Sequence, residues 1–169
     1  LNSQDFVDKI SPHLGCGRLV LLNSRDKVSL WQLLTTKPIY LNLKLSAYPS
    51  NSGMELHRDN RRKLVGMLLY FGFSDNKKRN YGGTQFYSDL AAPEGWSKSA
   101  SDHLFAESEF LELIHDHTPK PNSFVIFSIN ENSWHGIKKM PADLDPNVER
   151  INLQINFMRP QKFTFVAKC

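Results

Sequence analysis

A chain of 169 residues is long enough to bury a core without disulfides or metals acting as staples. Its 40% apolar and 22% charged residues exclude disorder, collagen-like sequence and coiled coil, and no apolar run reaches the ~18 residues of a membrane span. A net charge of +4, from 21 basic and 17 acidic side chains, is too thin for a dedicated nucleic-acid surface, though it suits an anionic substrate.

The start, Leu1-Asn2-Ser3-Gln4-Asp5, has neither the basic residues nor the apolar stretch of a signal peptide. It does not begin with Met, so a trimmed chain or one domain of a longer one is expected. Cys16 and Cys169 stand near opposite ends as inert thiols, and a reducing, cytoplasmic setting is the default. Ser3 caps a predicted short helix carrying Phe6, Val7 and Ile10, which Pro12 ends, and a second short helix is predicted over 28–35, with Leu30, Leu33 and Leu34 on one side. From Pro38 the period becomes two: Ile39, Leu41, Leu43, Leu45 and Ala47 alternate with Tyr40, Asn42, Lys44, Ser46 and Tyr48, the pattern of a half-buried strand. Residues 64–73 are nearly all apolar and read as a central strand covered on both faces.

A turn-rich connection over 75–83 leads into a short strand at 84–88. An insert at about 89–121 carries a predicted helix around 104–114, with Leu104, Phe110, Leu111 and Ile114 sharing a face. Strands are expected at 123–129, 134–138, 150–158 and 163–166; in the third of these Ile151, Leu153, Ile155 and Phe157 share one face and Arg150, Asn152 and Asn156 the other. Many short strands separated by turns imply a mainly β sandwich, jelly roll or barrel with flanking α-helices, read as one domain with a helical flank at 1–37 and a core at 38–169.

The chemistry concentrates in Glu55-Leu56-His57-Arg58-Asp59. In an extended chain His57 and Asp59 point the same way and offer an imidazole and a carboxylate from one short segment. His135, in Ser133-Trp134-His135-Gly136-Ile137, is the candidate third ligand, and two histidines plus one carboxylate form the facial triad of a non-haem Fe(II) site. Arg150, on a polar face beside Asn152 and Asn156, is suited to grip a carboxylate bidentately.

These residues fall in an ordered set: Tyr48 and Gly53 leading into His57-x-Asp59, the strand LVGMLLYF, the Gly82-Gly83 turn with Thr84-Gln85-Phe86, Pro121-Asn122 before Ser123–Phe127, then Trp134-His135-Gly136 and Arg150-Ile151-Asn152. The set resembles the Fe(II)- and 2-oxoglutarate-dependent oxygenases, in the branch similar to prolyl 4-hydroxylases, over roughly residues 38–160. The resemblance implies a double-stranded β-helix (a cupin-like jelly roll), iron held by His57, Asp59 and His135, and 2-oxoglutarate held at its distal carboxylate by Arg150. It further implies cosubstrate contacts from Tyr48, Asn152 and Gln85, and decarboxylation to succinate and CO2 coupled through molecular oxygen to hydroxylation of a small-molecule or peptidyl substrate. Asn122 stands where the family usually has Gly, and Arg150 where many prolyl hydroxylases have lysine. An intact Asp59 argues against the halogenating relatives.

Arg58, Trp96 and Trp134 are candidate substrate residues: Arg58 as part of the basic run with Arg61, Arg62 and Lys63, Trp96 in the insert, and Trp134 beside His135. His115-Asp116-His117 reads as the end of the insert helix, where histidines meet the helix dipole. Two alternatives stay open, a nucleic-acid demethylase of the same superfamily and a cupin-like module that binds metal or sugar without turnover. Asn156 occupies the place of the demethylases' second arginine.

Overall fold

The computed structural model describes residues 4–15, 17–22, 36–89, 104–105 and 111–160. Helix α1 (Gln4–Ile10) runs into a 3-10 turn (Ser11–Leu14) where Pro12 interrupts the α pattern. Among the described residues ten strands follow: β1 (Leu19–Leu21), β2 (Lys37–Tyr48), β3 (Met54–Arg58), β4 (Lys63–Phe73), β5 (Thr84–Ser88), β6 (Leu104–Phe105), β7 (Glu112–His117), β8 (Ser123–Ser128), β9 (Trp134–Ile137) and β10 (Arg150–Met158). They form two five-stranded sheets, ordered β1-β2-β10-β4-β8 and β6-β3-β9-β5-β7. From β2 to β5 and again from β7 to β10 the chain crosses from one sheet to the other at each step, and β1 with β2 is the parallel pair. This alternation defines a mainly β jelly roll.

The two faces of the first sheet have opposite characters. On β10, Ile155 and Phe157 are fully buried and join Val7, Leu19, Ile39, Val65 and Met67 in the main apolar cluster, beneath α1. Burying each such side chain contributes about 1.5–3 kcal/mol. Gln4 fastens the helix to β1, donating to the Leu19 carbonyl at 3.0 Å and accepting from the Leu21 amide at 2.8 Å. Leu43 and Leu45 continue the apolar face of β2 but are 60% and 67% exposed. The alternate residues Arg150, Asn152, Gln154 and Asn156 face the second sheet and bring polar groups into a space that Met54, Leu68, Phe127 and Ile137 also line.

Two expectations change. The segment read as a helix around 104–114 contains β6 and the start of β7, and His115, Asp116 and His117 lie on a strand rather than at a helix end. Pairing of β7 with β5, from Thr84 opposite His117 to Ser88 opposite Glu112, supplies ladder hydrogen bonds that override the local helical spacing. Leu113 and Ile114 are exposed on this edge strand. The predicted helix at 28–35, the predicted strand at 163–166, Cys16, Cys169 and Trp96 lie outside the described residues.

Candidate metal centre

His57 on β3 stands directly opposite His135 on β9, and Asp59 follows one residue beyond the end of β3. Their candidate ligand atoms lie within 4.8 Å of one another, with the imidazole centroids 4.4 Å apart and His135 Nε2 3.6 Å from Asp59 Oδ2. All three side chains are buried or nearly so.

Backbone carbonyls set the tautomers. His57 Nδ1 lies 2.8 Å from the Glu55 carbonyl and His135 Nδ1 2.9 Å from the Ser133 carbonyl. A carbonyl only accepts, so each Nδ1 carries the hydrogen and each Nε2 keeps a lone pair for a metal. Burial pushes the His135 imidazole down to about 4, the neighbouring His57 adds to the effect, and Asp59 opposes it. His135 is therefore neutral near pH 7, as ligation requires. The donor set of two imidazole nitrogens and a carboxylate oxygen fits a divalent transition ion. Lys63 also reaches Asp59, its Nζ 2.5 Å from Oδ1.

A cavity of about 330 Å³ opens from this cluster, within the range that holds small ligands. At its other end Arg150 is completely buried. Its guanidinium lies 4.9 Å from the Tyr48 ring and 5.1 Å from the Tyr70 ring, and Nη1 donates to Asn152 Oδ1 at 3.4 Å. Among the described residues Nε and Nη2 have no partner at hydrogen-bond geometry, nor does Asn152 Nδ2, although the Tyr48 and Tyr70 hydroxyls contribute to the electrostatics of the guanidinium. Burial lowers the pKa of the guanidinium, with the two tyrosines opposing that shift, yet an arginine side chain remains charged in a protein. Gly82 makes room: its φ of 70° suits glycine, and a Cβ there would lie 3.2 Å from Arg150 Cδ.

The predicted residues divide between the two faces. His57, Asp59, His135, Arg150 and Asn152 line the cavity, and Tyr48 covers the Arg150 guanidinium. Gln85 turns the other way, donating from Nε2 to Asp116 at 3.2 Å and accepting from the Tyr87 hydroxyl at 3.1 Å. Arg58 and Trp134 alternate with the two histidines and so occupy the opposite face, where the Arg58 guanidinium sits 4.7 Å over the Trp134 ring and bonds the Glu131 carbonyl. Trp134 Nε1 donates to Asp89 at 3.1 Å.

Sequence reasoning passed over Thr84 and Tyr70, whose hydroxyls lie 2.6 Å apart beside Arg150. Thr84 was accessible by alternation from the glycine turn, since it shares a face with Phe86 rather than with Gln85. Asn122 adopts the left-handed conformation, φ 59°, expected of a residue in a glycine's place.

Among the described residues no helix is long and apolar enough to cross a membrane. No family model matches this sequence, and no curated protein matches it. Solved structures do. A prolyl-4-hydroxylase from Pseudomonas putida is similar over 73% of this chain and 55% of its own, at 20% identity and a TM-score of 0.45. EvdO2 from Micromonospora carbonacea var. aurantiaca is similar over 73% of this chain and 54% of its own, at 10% identity and a TM-score of 0.43. A structure of Bacillus endospore appendages, described as disulfide-linked pili, aligns over 82% of this chain and 98% of its own, at 10% identity and a TM-score of 0.33. The chain thus spans about half the length of the first two.

Proposed function

We propose that this chain is an Fe(II)- and 2-oxoglutarate-dependent dioxygenase acting as a hydroxylase. One observation carries the reading: a fully buried guanidinium, two of whose donors have no partner at hydrogen-bond geometry among the described residues, shares a cavity with a His-Asp-His cluster whose ring tautomers suit metal binding. Buried polar groups need partners, and an uncompensated buried charge needs them most. A dicarboxylate reaching from a metal to Arg150 answers both needs.

In this reading His57, Asp59 and His135 would hold Fe(II) through two imidazole nitrogens and a carboxylate oxygen. Arg150 binds the distal carboxylate through Nε and Nη2, and Asn152 Nδ2 adds a donor. The Tyr48 and Tyr70 rings hold the guanidinium between them, and the Tyr70–Thr84 hydroxyl pair fixes that wall. Bound iron, with 2-oxoglutarate and molecular oxygen, supplies oxidative decarboxylation to succinate and CO2 coupled to hydroxylation of a substrate C–H bond. The chain's own share is to position these groups and exclude side reactions.

The test is an anaerobic titration of the Fe(II)-loaded protein with 2-oxoglutarate, following the visible metal-to-ligand charge-transfer band. The expected result is a saturable band that the His135→Ala variant lacks while keeping its far-ultraviolet dichroism. Iron binding without a band would overturn the oxygenase reading in favour of a metal-binding module.

A further inference from the structure

The two oxygens of Asp59 face different neighbours. Oδ2 lies on the side of the histidines, 3.6 Å from His135 Nε2, while Oδ1 accepts from the Lys63 ammonium at 2.5 Å. The Asp59 side chain is 8% exposed and that of Lys63 21%, so the pair is largely shielded from water. Asp59 is the carboxylate that Lys63 pairs with among the described residues, and both side chains line the cavity.

The connection from β3 to β4 is built to hold this arrangement. The Lys63 amide donates to the Asn60 carbonyl at 2.9 Å and closes a tight turn, and the Arg62 amide donates to Asn60 Oδ1 at 2.8 Å. Arg62 is anchored in its turn: its carbonyl accepts from the Arg159 amide at 2.7 Å, and its guanidinium donates to the Tyr40 hydroxyl at 2.9 Å. The chain thereby returns to Asp59 at the first position of β4. Lys63 differs in this from its basic neighbours, since Arg58 packs on Trp134 and Arg61 pairs with Glu131 in solvent.

A carboxylate binds a metal ion through one oxygen or through both. Beside two imidazoles, a carboxylate that uses both oxygens occupies a coordination position that a cosubstrate needs. The ammonium on Oδ1 makes a charge-assisted hydrogen bond that a second metal contact must break. Its positive charge also repels a divalent ion, so tight metal binding is not what this lysine serves.

We infer that Lys63 is a positioning residue that restricts Asp59 to a single metal contact, through Oδ2, and so keeps a coordination position open for the cosubstrate. The inference rests on the oxygenase reading of the same site. It also sets Lys63 apart from an outer partner that merely steadies its ligand. Removing a steadying partner costs roughly 10–100-fold in metal affinity. Removing Lys63 frees Oδ1 for the metal and takes away a repelling charge, so affinity rises while an open position is lost.

The experiment loads the whole chain with Mn(II) alone and counts the exchangeable waters on the ion by solvent 17O relaxation. Parent, Lys63→Met and Lys63→Arg are compared, with Lys63→Gln as a second variant that removes the charge but keeps a polar side chain. The expected count is about three waters in the parent and about two in Lys63→Met and Lys63→Gln, with Mn(II) held about tenfold more tightly by both. Lys63→Arg should restore the parent's count and affinity. In the Mn(II) form, affinity for 2-oxoglutarate should fall about tenfold or more in the two uncharged variants and recover in Lys63→Arg. If both uncharged variants keep the parent's water count, the inference is overturned, and saturable 2-oxoglutarate binding in the parent leaves the oxygenase reading standing. If they lose a water but the Fe(II)-loaded parent shows no charge-transfer band with 2-oxoglutarate, the restriction on Asp59 is supported and the oxygenase reading is overturned. A parent that takes up no Mn(II) overturns both.

Discussion

Replacing Arg150 by Met separates stability from function, because the two should move in opposite directions. The guanidinium is completely buried, and no carboxylate among the described residues pairs with it. Burying such a charge costs several kcal/mol even after relaxation. Two aromatic faces, at 4.9 and 5.1 Å, return about 1–2 kcal/mol each, and the 3.4 Å bond to Asn152 adds little. Met fills most of the same volume without the charge, so the ligand-free variant should be more stable by about 1–2 kcal/mol. In a chain of this length that raises Tm by about 2–8 °C, readable by scanning calorimetry without metal or 2-oxoglutarate. The same change removes two charge-assisted hydrogen bonds to the cosubstrate, about 1.5–3 kcal/mol each, so affinity for 2-oxoglutarate should fall roughly 10²- to 10⁴-fold. A variant that is destabilised and binds 2-oxoglutarate like the parent would refute the reasoning, since Arg150 would then be a structural residue.

Gly66→Ala places a Cβ 2.6 Å from Phe127 Cζ and forces that ring to move beside His135. Calorimetry should show a loss of about 1–3 kcal/mol together with weakened metal uptake; a parental Tm would mean that the ring gives way freely. Asp75 forms a bidentate pair with Arg79, both contacts at 2.5 Å, and the guanidinium holds its carboxyl down at about 2, below the usual 3.8. A depressed carboxyl stabilises the fold above its unfolded pKa and loses that contribution as pH falls through the folded value. The Tm difference between the parent and Asp75→Asn should therefore be constant above pH 5 and close between about pH 4 and pH 2. A gap that does not change with pH would show that the pair contributes by packing alone.

The jelly roll keeps its apolar core and its chemistry apart on opposite faces of one sheet. Ile155 and Phe157 pack toward α1, while Asn152 and Asn156 on the same strand look into the cavity. Rigid burial on one side thereby holds polar groups in place on the other.

Strand periodicity was legible in the chain because alternation is a local property: 150–158 alternates without interruption and forms β10 over that span, and 38–48 lies within β2. The same alternation put His57 with Asp59 and Arg150 with Asn152, since residues two apart on a strand share a face wherever the strand goes. Local spacing misled at 104–114, where helical and strand patterns compete over a few residues and only the ladder with β5 decides. It also could not assign Gln85, Arg58 and Trp134, each one residue from a position that faces the cavity, because which side of a strand becomes the interior depends on the sheet opposite. Tertiary structure alone brought His135 against His57 and left Arg150 buried with donors that have no partner among the described residues. Each of these joins strands far apart in sequence, and no local pattern encodes the distance between them.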